Sequence, residues 1–205
     1  YTPHQKYNSM NKRIAIYLRN LHVGGLERVF VNLANNFSSQ GYTVDLVVAI
    51  DGGPMEEELD KSVQIISLDS SRVLTSIPRF LRYTRRERPD VILSGHDSIN
   101  QLLSICNAAG LIAPRLVVST HIQMSKLAKT EGVWYSGMIP LLVKWTYPFA
   151  DQIVAVSKGA AENLKDMSGN LDGKVRVIYN PVVDDSLRYR AQEKVDNSWV
   201  NDSVT

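Results

Sequence analysis

The sequence predicts an α/β protein built on one open, doubly wound and mainly parallel sheet of about seven strands, Rossmann-like in the broad sense. Three observations predict it. Short runs rich in β-branched residues alternate along the chain with segments of helical period. Several of these runs are apolar over their whole length, as strands buried on both faces by crossover helices are. The 205 residues, 44% hydrophobic and 21% charged, suit one core of ordinary size and exclude wholesale disorder.

Arg13–Leu18 (RIAIYL) reads as the first strand. Leu26, Val29, Phe30, Leu33 and Phe37 then recur on one face of a helix, with Gly41 as its stop. Thr43–Ala49 and Val63–Leu68 are the second and third strands. Val73, Ile77, Phe80, Leu81 and Thr84 keep helical spacing until Pro89 forbids continuation. Val91–Ser94, Leu116–Thr120, Ile153–Ser157 and Val175–Tyr179 supply four more strands, separated by helical stretches near 98–109, 137–147 and 158–167. Residues 1–12 read as a tail, 13–183 as the folded domain, and 184–205, polar and without periodicity, as a linker or peripheral segment.

Composition excludes some functions. A net charge of +2 creates no field that implies nucleic acid. One cysteine excludes an internal disulfide framework and fits a reducing compartment. The longest apolar stretch, Met138–Ala150, is interrupted by Pro140, Lys144 and Pro148 and falls short of a membrane span.

Ligands of open α/β sheets bind outside the carboxyl ends of the strands. Gly24 and Gly25, preceded by His22, follow the first strand; His96 and Asp97 follow the fourth, His121 the fifth and Ser157 the sixth. Three of the four histidines therefore fall at one edge. The Gly24-Gly25 pair opens a helix, where free N–H groups favour an anion, although a tight turn explains it equally. The third glycine of a dinucleotide fingerprint is missing, and no P-loop or Gly-x-Ser-x-Gly elbow occurs. His121 is placed either to donate to a sugar hydroxyl or exchange a proton, or to serve as a hydrogen-bonded structural histidine. His22, His96, His121 and Asp97 offer enough donors for a catalytic zinc, although no pair has helical or strand ligand spacing; the metal reading stays open at this point. Arg79, Arg82 and Arg86 share one helix face, either simply solvated or a peripheral membrane contact.

Three segments in order, Gly24-Gly25-Leu26-Glu27-Arg28, Ala150–Leu164 (ADQIVAVSKGAAENL) and Lys174–Val183 (KVRVIYNPVV), resemble family 4 of the glycosyltransferases. The likeness is to the N-terminal half of the GT-B fold, as in the group 1 enzymes of bacterial cell-surface polysaccharides, and covers roughly Arg13 to Val183. The resemblance implies sugar transfer from a nucleotide-sugar, with retention, to a saccharide or lipid-linked acceptor held by this domain. It implies that Gly24 and Gly25 lie against the donor diphosphate and that His121 contacts the donor sugar near the reacting centre. His22, His96, Asp97 and Ser157 are acceptor-side candidates by position. No cofactor or metal is implied beyond the donor substrate. The family's Glu-x7-Glu motif is not reproduced by Glu56, Glu57 and Glu58; it belongs to a C-terminal nucleotide-binding domain. The chain alone is therefore expected to be inactive. It is expected to be cytoplasmic, or peripheral on the inner face of the membrane. The competing readings are a non-catalytic binding module for a phosphorylated ligand and a histidine-ligated metal hydrolase.

Overall fold

The computed structural model describes residues 12–121, 139–168, 171 and 173–180. Seven strands form one all-parallel sheet: β1 (Arg13–Leu18), β2 (Thr43–Val48), β3 (Gln64–Ser67), β4 (Val91–Ser94), β5 (Arg115–Thr120), β6 (Gln152–Ala155) and β7 (Val175–Val177). Their spatial order is β3-β2-β1-β4-β5-β6-β7. The order reverses between β1 and β4, which pair with Ile14 opposite Val91 and Tyr17 opposite Ser94. A crevice therefore opens at their carboxyl ends.

Among the described residues five helices join the strands: α1 (Gly25–Ser39), α2 (Val73–Glu87), α3 (Asp97–Ala108), α4 (Ile139–Thr146) and α5 (Lys158–Ser168). Each expected strand and helix is present, several strands shorter by one or two residues; residues 137–138 of the helix expected near 137–147 lie outside the described residues. The 3₁₀ turns Pro54–Glu58 and Tyr147–Phe149 carried no periodic signal. The expected terminal segments before Lys12 and after Asn180 lie outside the described residues.

The strands alternate their buried residues between two cores. Ile16, Leu18, Leu46 and Val48 meet Phe30, Val31 and Ala34 of α1 on one face. Tyr17, Ile92, Val118 and Ile153 meet α2 through Phe80, α3 through Leu103, α4 through Val143 and α5 through Leu164 on the other. Tyr17 and Phe80 stack with ring centroids 4.4 Å apart. The helix α1 closes with a Schellman motif: Tyr42 N–H donates to Phe37 O (3.2 Å) and Gly41 N–H to Ser38 O (2.9 Å). The accompanying apolar contact is an edge-on meeting of the Phe37 and Tyr42 rings.

At the amino edge of the sheet the fully buried Asp45 accepts from Tyr83 Oη (2.6 Å) and Arg13 Nη1 (3.0 Å), and Arg13 also reaches Glu87 (2.7 Å). This network ties β1 and β2 to the last turn of α2. The basic face of α2 is partly committed too. Arg79 donates to the carbonyls of Leu68 and Asp69, and Arg86 pairs with Glu87 at 2.7 Å. Arg82 has no ion pair among the described residues. No helix among those residues is long and apolar enough to cross a membrane.

The cap of α2 is Arg88, at φ +48°, in the left-handed region. A side chain there costs about 1–2 kcal/mol. Arg88→Gly relieves that strain but loosens the unfolded chain, so a net gain of about 0.5–1 kcal/mol is expected. Thermal unfolding should show a melting point a few degrees higher.

Candidate functional site

The loop from Arg19 to Gly24 carries the chain from β1 over the crevice into α1. It rests on the turn after β2, where Met55 N–H donates to Leu21 O at 3.1 Å. Gly53, at φ +154°, lies so close to the Leu21 backbone that a Cβ would overlap it. The sequence signal was the Gly52-Gly53-Pro54 turn, but not what it supports. Gly24 is the N-cap of α1 and no side chain caps that helix start. Open space surrounds Gly25. The Glu27 carboxylate folds back over Gly24, into the position a Cβ would take. An acid belonging to the chain thus lies over the glycine loop, at the positive end of the helix.

Glu27 also reaches across the crevice. His96 Nε2 lies 3.2 Å from Glu27 Oε1, within pairing distance but off the hydrogen-bond axis. Burial lowers the pKa of His96, the Glu27 carboxylate draws it back up, and Arg19 adds to the lowering. His96 is the N-cap of α3 and Asp97 its first residue. Burial pushes Asp97 up to about 6, against a weaker lowering by the Tyr147 hydroxyl, which donates to Asp97 Oδ1 at 3.3 Å. The fully buried Tyr147 is itself held well above the ordinary phenol value, first by burial and then by the Asp97 charge.

A line of polar contacts runs from there to His121. Asn100 Nδ2 donates to Ser119 O (2.9 Å) and lies 3.4 Å from Tyr147 Oη, and Ser119 Oγ meets His121 Nε2 at 2.9 Å. His121 Nδ1 is 3.4 Å from Asn180 Nδ2, in the segment after β7. The Asn180 amide nitrogen can only donate, so Nδ1 accepts from it and the ring proton sits on Nε2, which donates to Ser119 Oγ. Burial lowers the pKa of His121, and the neighbouring His96 lowers it further, so both favour the neutral imidazole.

The ring of Phe30 sets the position of that imidazole, with centroids 5.8 Å apart and planes tilted by 52°. Phe30 in turn occupies the space above Gly95, where a Cβ would run into the ring. Beside His121 lies an apolar hollow of about 240 Å³, with Leu33, Leu93, Val117 and Val154 among its walls.

The structure thus brings Gly24, Gly25, His96, Asp97 and His121 to one crevice, as their strand positions predict. His22 sits at the same edge with its side chain in solvent. Ser157 is given a structural task, accepting the Ala160 N–H at 3.1 Å to cap α5. Sequence reasoning missed Glu27, Phe30, Ser119 and Tyr147. The i, i+2 spacing of Ser119 and His121 would have pointed to a shared face; nothing local marks Phe30 or Tyr147. Among the described residues no group of three or more His, Cys, Asp and Glu side chains is arranged to hold a metal ion.

The model of Glycosyltransferase Family 4 matches residues 23–186. Solved structures match in shape. HepE from Anabaena, in complex with UDP and glucose, is 16% identical with a TM-score of 0.60, over 83% of this chain and 44% of that one. Sucrose-phosphate synthase from Thermosynechococcus elongatus is 13% identical with a TM-score of 0.62, over 82% and 48%. The lipopolysaccharide outer core galactosyltransferase WaaB is 18% identical with a TM-score of 0.55, over 83% and 46%. The chain spans less than half the length of these proteins, and at such identities the likeness is one of fold: the N-terminal half of the GT-B architecture. No curated protein matches in sequence.

Two predictions follow from the geometry. Asp97 has a folded pKa near 6 against 3.8, so the native state binds the extra proton and loses stability as pH rises through 6. Asp97→Asn keeps an acceptor for Tyr147 and removes the buried charge. It should raise unfolding free energy by about 1–3 kcal/mol at pH 8 and leave it unchanged near pH 4, as read by denaturant titration at both pH values. Gly95→Ala drives a methyl group into Phe30 and should cost about 1–3 kcal/mol. The His121 ring protons should shift in the NMR spectrum of that variant.

Proposed function

The chain belongs to glycosyltransferase family 4, and on that premise we propose that it forms the acceptor-binding half of a retaining enzyme that transfers a sugar from a nucleotide-sugar to a saccharide or lipid-linked acceptor. The observation that carries this reading is the gathering of Gly24, Gly25, His96, Asp97 and His121 at the β1/β4 crevice. In this reading a second domain supplies the nucleotide site, and the isolated chain does not turn over. Cell-envelope polysaccharide synthesis at the cytoplasmic face of the membrane is the setting proposed for it.

The chemistry needs little from a protein base. The acceptor oxygen forms a bond to the anomeric carbon as the bond to the donor phosphate breaks, and the departing phosphate oxygen takes the acceptor proton on the same face of the sugar. His121, held toward its neutral form, then contributes a hydrogen bond to a sugar oxygen without introducing a charge. The amide groups at the start of α1 face the diphosphate, provided the Glu27 carboxylate withdraws from Gly24. Asp97, with a pKa close to neutrality, is suited to accept a hydrogen bond from an acceptor hydroxyl.

His121→Ala, in the chain joined to its nucleotide-binding domain, is expected to lower kcat/KM for sugar transfer by roughly two orders of magnitude. Product stereochemistry from the anomeric coupling constant should match the donor. An inverted product, or near-normal turnover of the variant, contradicts the reading.

A further inference from the structure

We propose that the chain carries a second anion site, at the amino edge of the sheet, where Arg85, Arg88 and Arg115 take a phosphorylated small molecule. A hollow of about 570 Å³ opens there, lined by these three arginines with Thr84, Asp90 and Leu111 among the other walls. Its size is that of a ligand pocket. It lies beside the first residues of β4 and β5, at the other end of the strands from the crevice, so a molecule bound in it does not touch His121 or the glycine loop.

The charges are unbalanced. Among the described residues none of the three guanidinium groups has an ion pair or a side-chain hydrogen bond. Arg13 pairs with Asp45 and Glu87, Arg28 with Glu58 and Arg86 with Glu87; Arg82 is unpaired too but does not line the hollow. Glu87 is shared by Arg13 and Arg86, and Asp90, which accepts the backbone N–H of Arg13 at 2.8 Å, is the one carboxylate among the residues lining the hollow, against three arginines. Helix C-termini welcome one nearby cation, but that need does not account for three cations, from two separate elements, around one hollow.

Arg88 also ends α2 as its left-handed cap, its N–H donating to Thr84 O, and is itself one of the residues lining the hollow. Guanidinium groups bind phosphate oxygens two at a time, so a group with two or more negative charges matches the set. The concave shape, with Pro89, Pro114 and Leu111 as apolar walls, favours a compact soluble molecule over a flat lipid surface.

Inorganic pyrophosphate is the probe, titrated calorimetrically into the chain at roughly 50 mM salt, where screening is modest. Binding is expected, weakened at least about tenfold in the double variant Arg88→Gly, Arg115→Gln. Because Arg88→Gly favours the fold, a melting point that holds or rises shows that lost binding is not lost structure. No binding, or binding that survives the double variant and so belongs to the glycine loop, overturns the proposal without touching the glycosyltransferase reading. Sedimentation with phosphatidylglycerol vesicles is the second arm. Vesicle binding lost in the double variant, with no binding of free pyrophosphate, transfers the site to a lipid headgroup and overturns the small-molecule assignment.

Discussion

The crevice depends on one steric contact: the Phe30 ring of α1 resting on the bare backbone of Gly95. Gly95 leaves β4 at the point where the strand order reverses, and the absence of a side chain there lets α1 come down onto the sheet. Because Phe30 then lies under the His121 imidazole, the same contact fixes the distance between the glycine loop at the start of α1 and the histidine at the end of β5. Gly53 does the corresponding work for the loop from below, against Leu21. Neither glycine touches a ligand in the proposed reaction, yet both set the shape into which a ligand fits.

The electrostatics of the crevice oppose the stability of the fold. Asp97 is held near a pKa of 6 by burial, Tyr147 is buried beside it, and His96 and His121 are both pushed toward their neutral forms. Each shift disfavours the charged form of its group. A core optimised for stability alone would place apolar residues here. The amino edge shows the contrary arrangement. Asp45 is deeply buried but meets Arg13 and Tyr83, so its charge is compensated and binds three elements together.

Most of the architecture was legible because parallel strands buried on two faces are apolar throughout and their crossover helices keep a 3.6-residue period. Arg13–Leu18 and Val91–Ser94 lie at the expected bounds. Val175–Tyr179 was expected to run longer than the observed Val175–Val177, since edge strands stop where partners stop, which no local pattern records. The site was legible as an edge: strand ends place His96, Asp97 and His121 together whatever the details. Its internal wiring was not. Glu27 was read as one letter of a motif, whereas it lies over Gly24 and faces His96. Ser157, an acceptor-side candidate by its place at a strand end, also caps a helix. The arginine stripe on α2 was read as one face, but Arg79 folds onto the β3–α2 loop, and the unpaired charges gather at the end of the helix with Arg115 from another strand.

By itself the sequence determined the order of elements, the parallel sheet, the family and the edge at which chemistry would lie. All of these follow from periodicity and motif order, which are properties of neighbouring residues. The tertiary structure alone decided which side chains share that edge at contact distance, which of them are deprived of water, and which charges are left without partners. Those outcomes depend on groups brought together across long stretches of chain: Phe30 with Gly95 and His121, Asp97 with Tyr147, Arg88 with Arg115. Desolvation and charge pairing act through space, and no local pattern of residues encodes them.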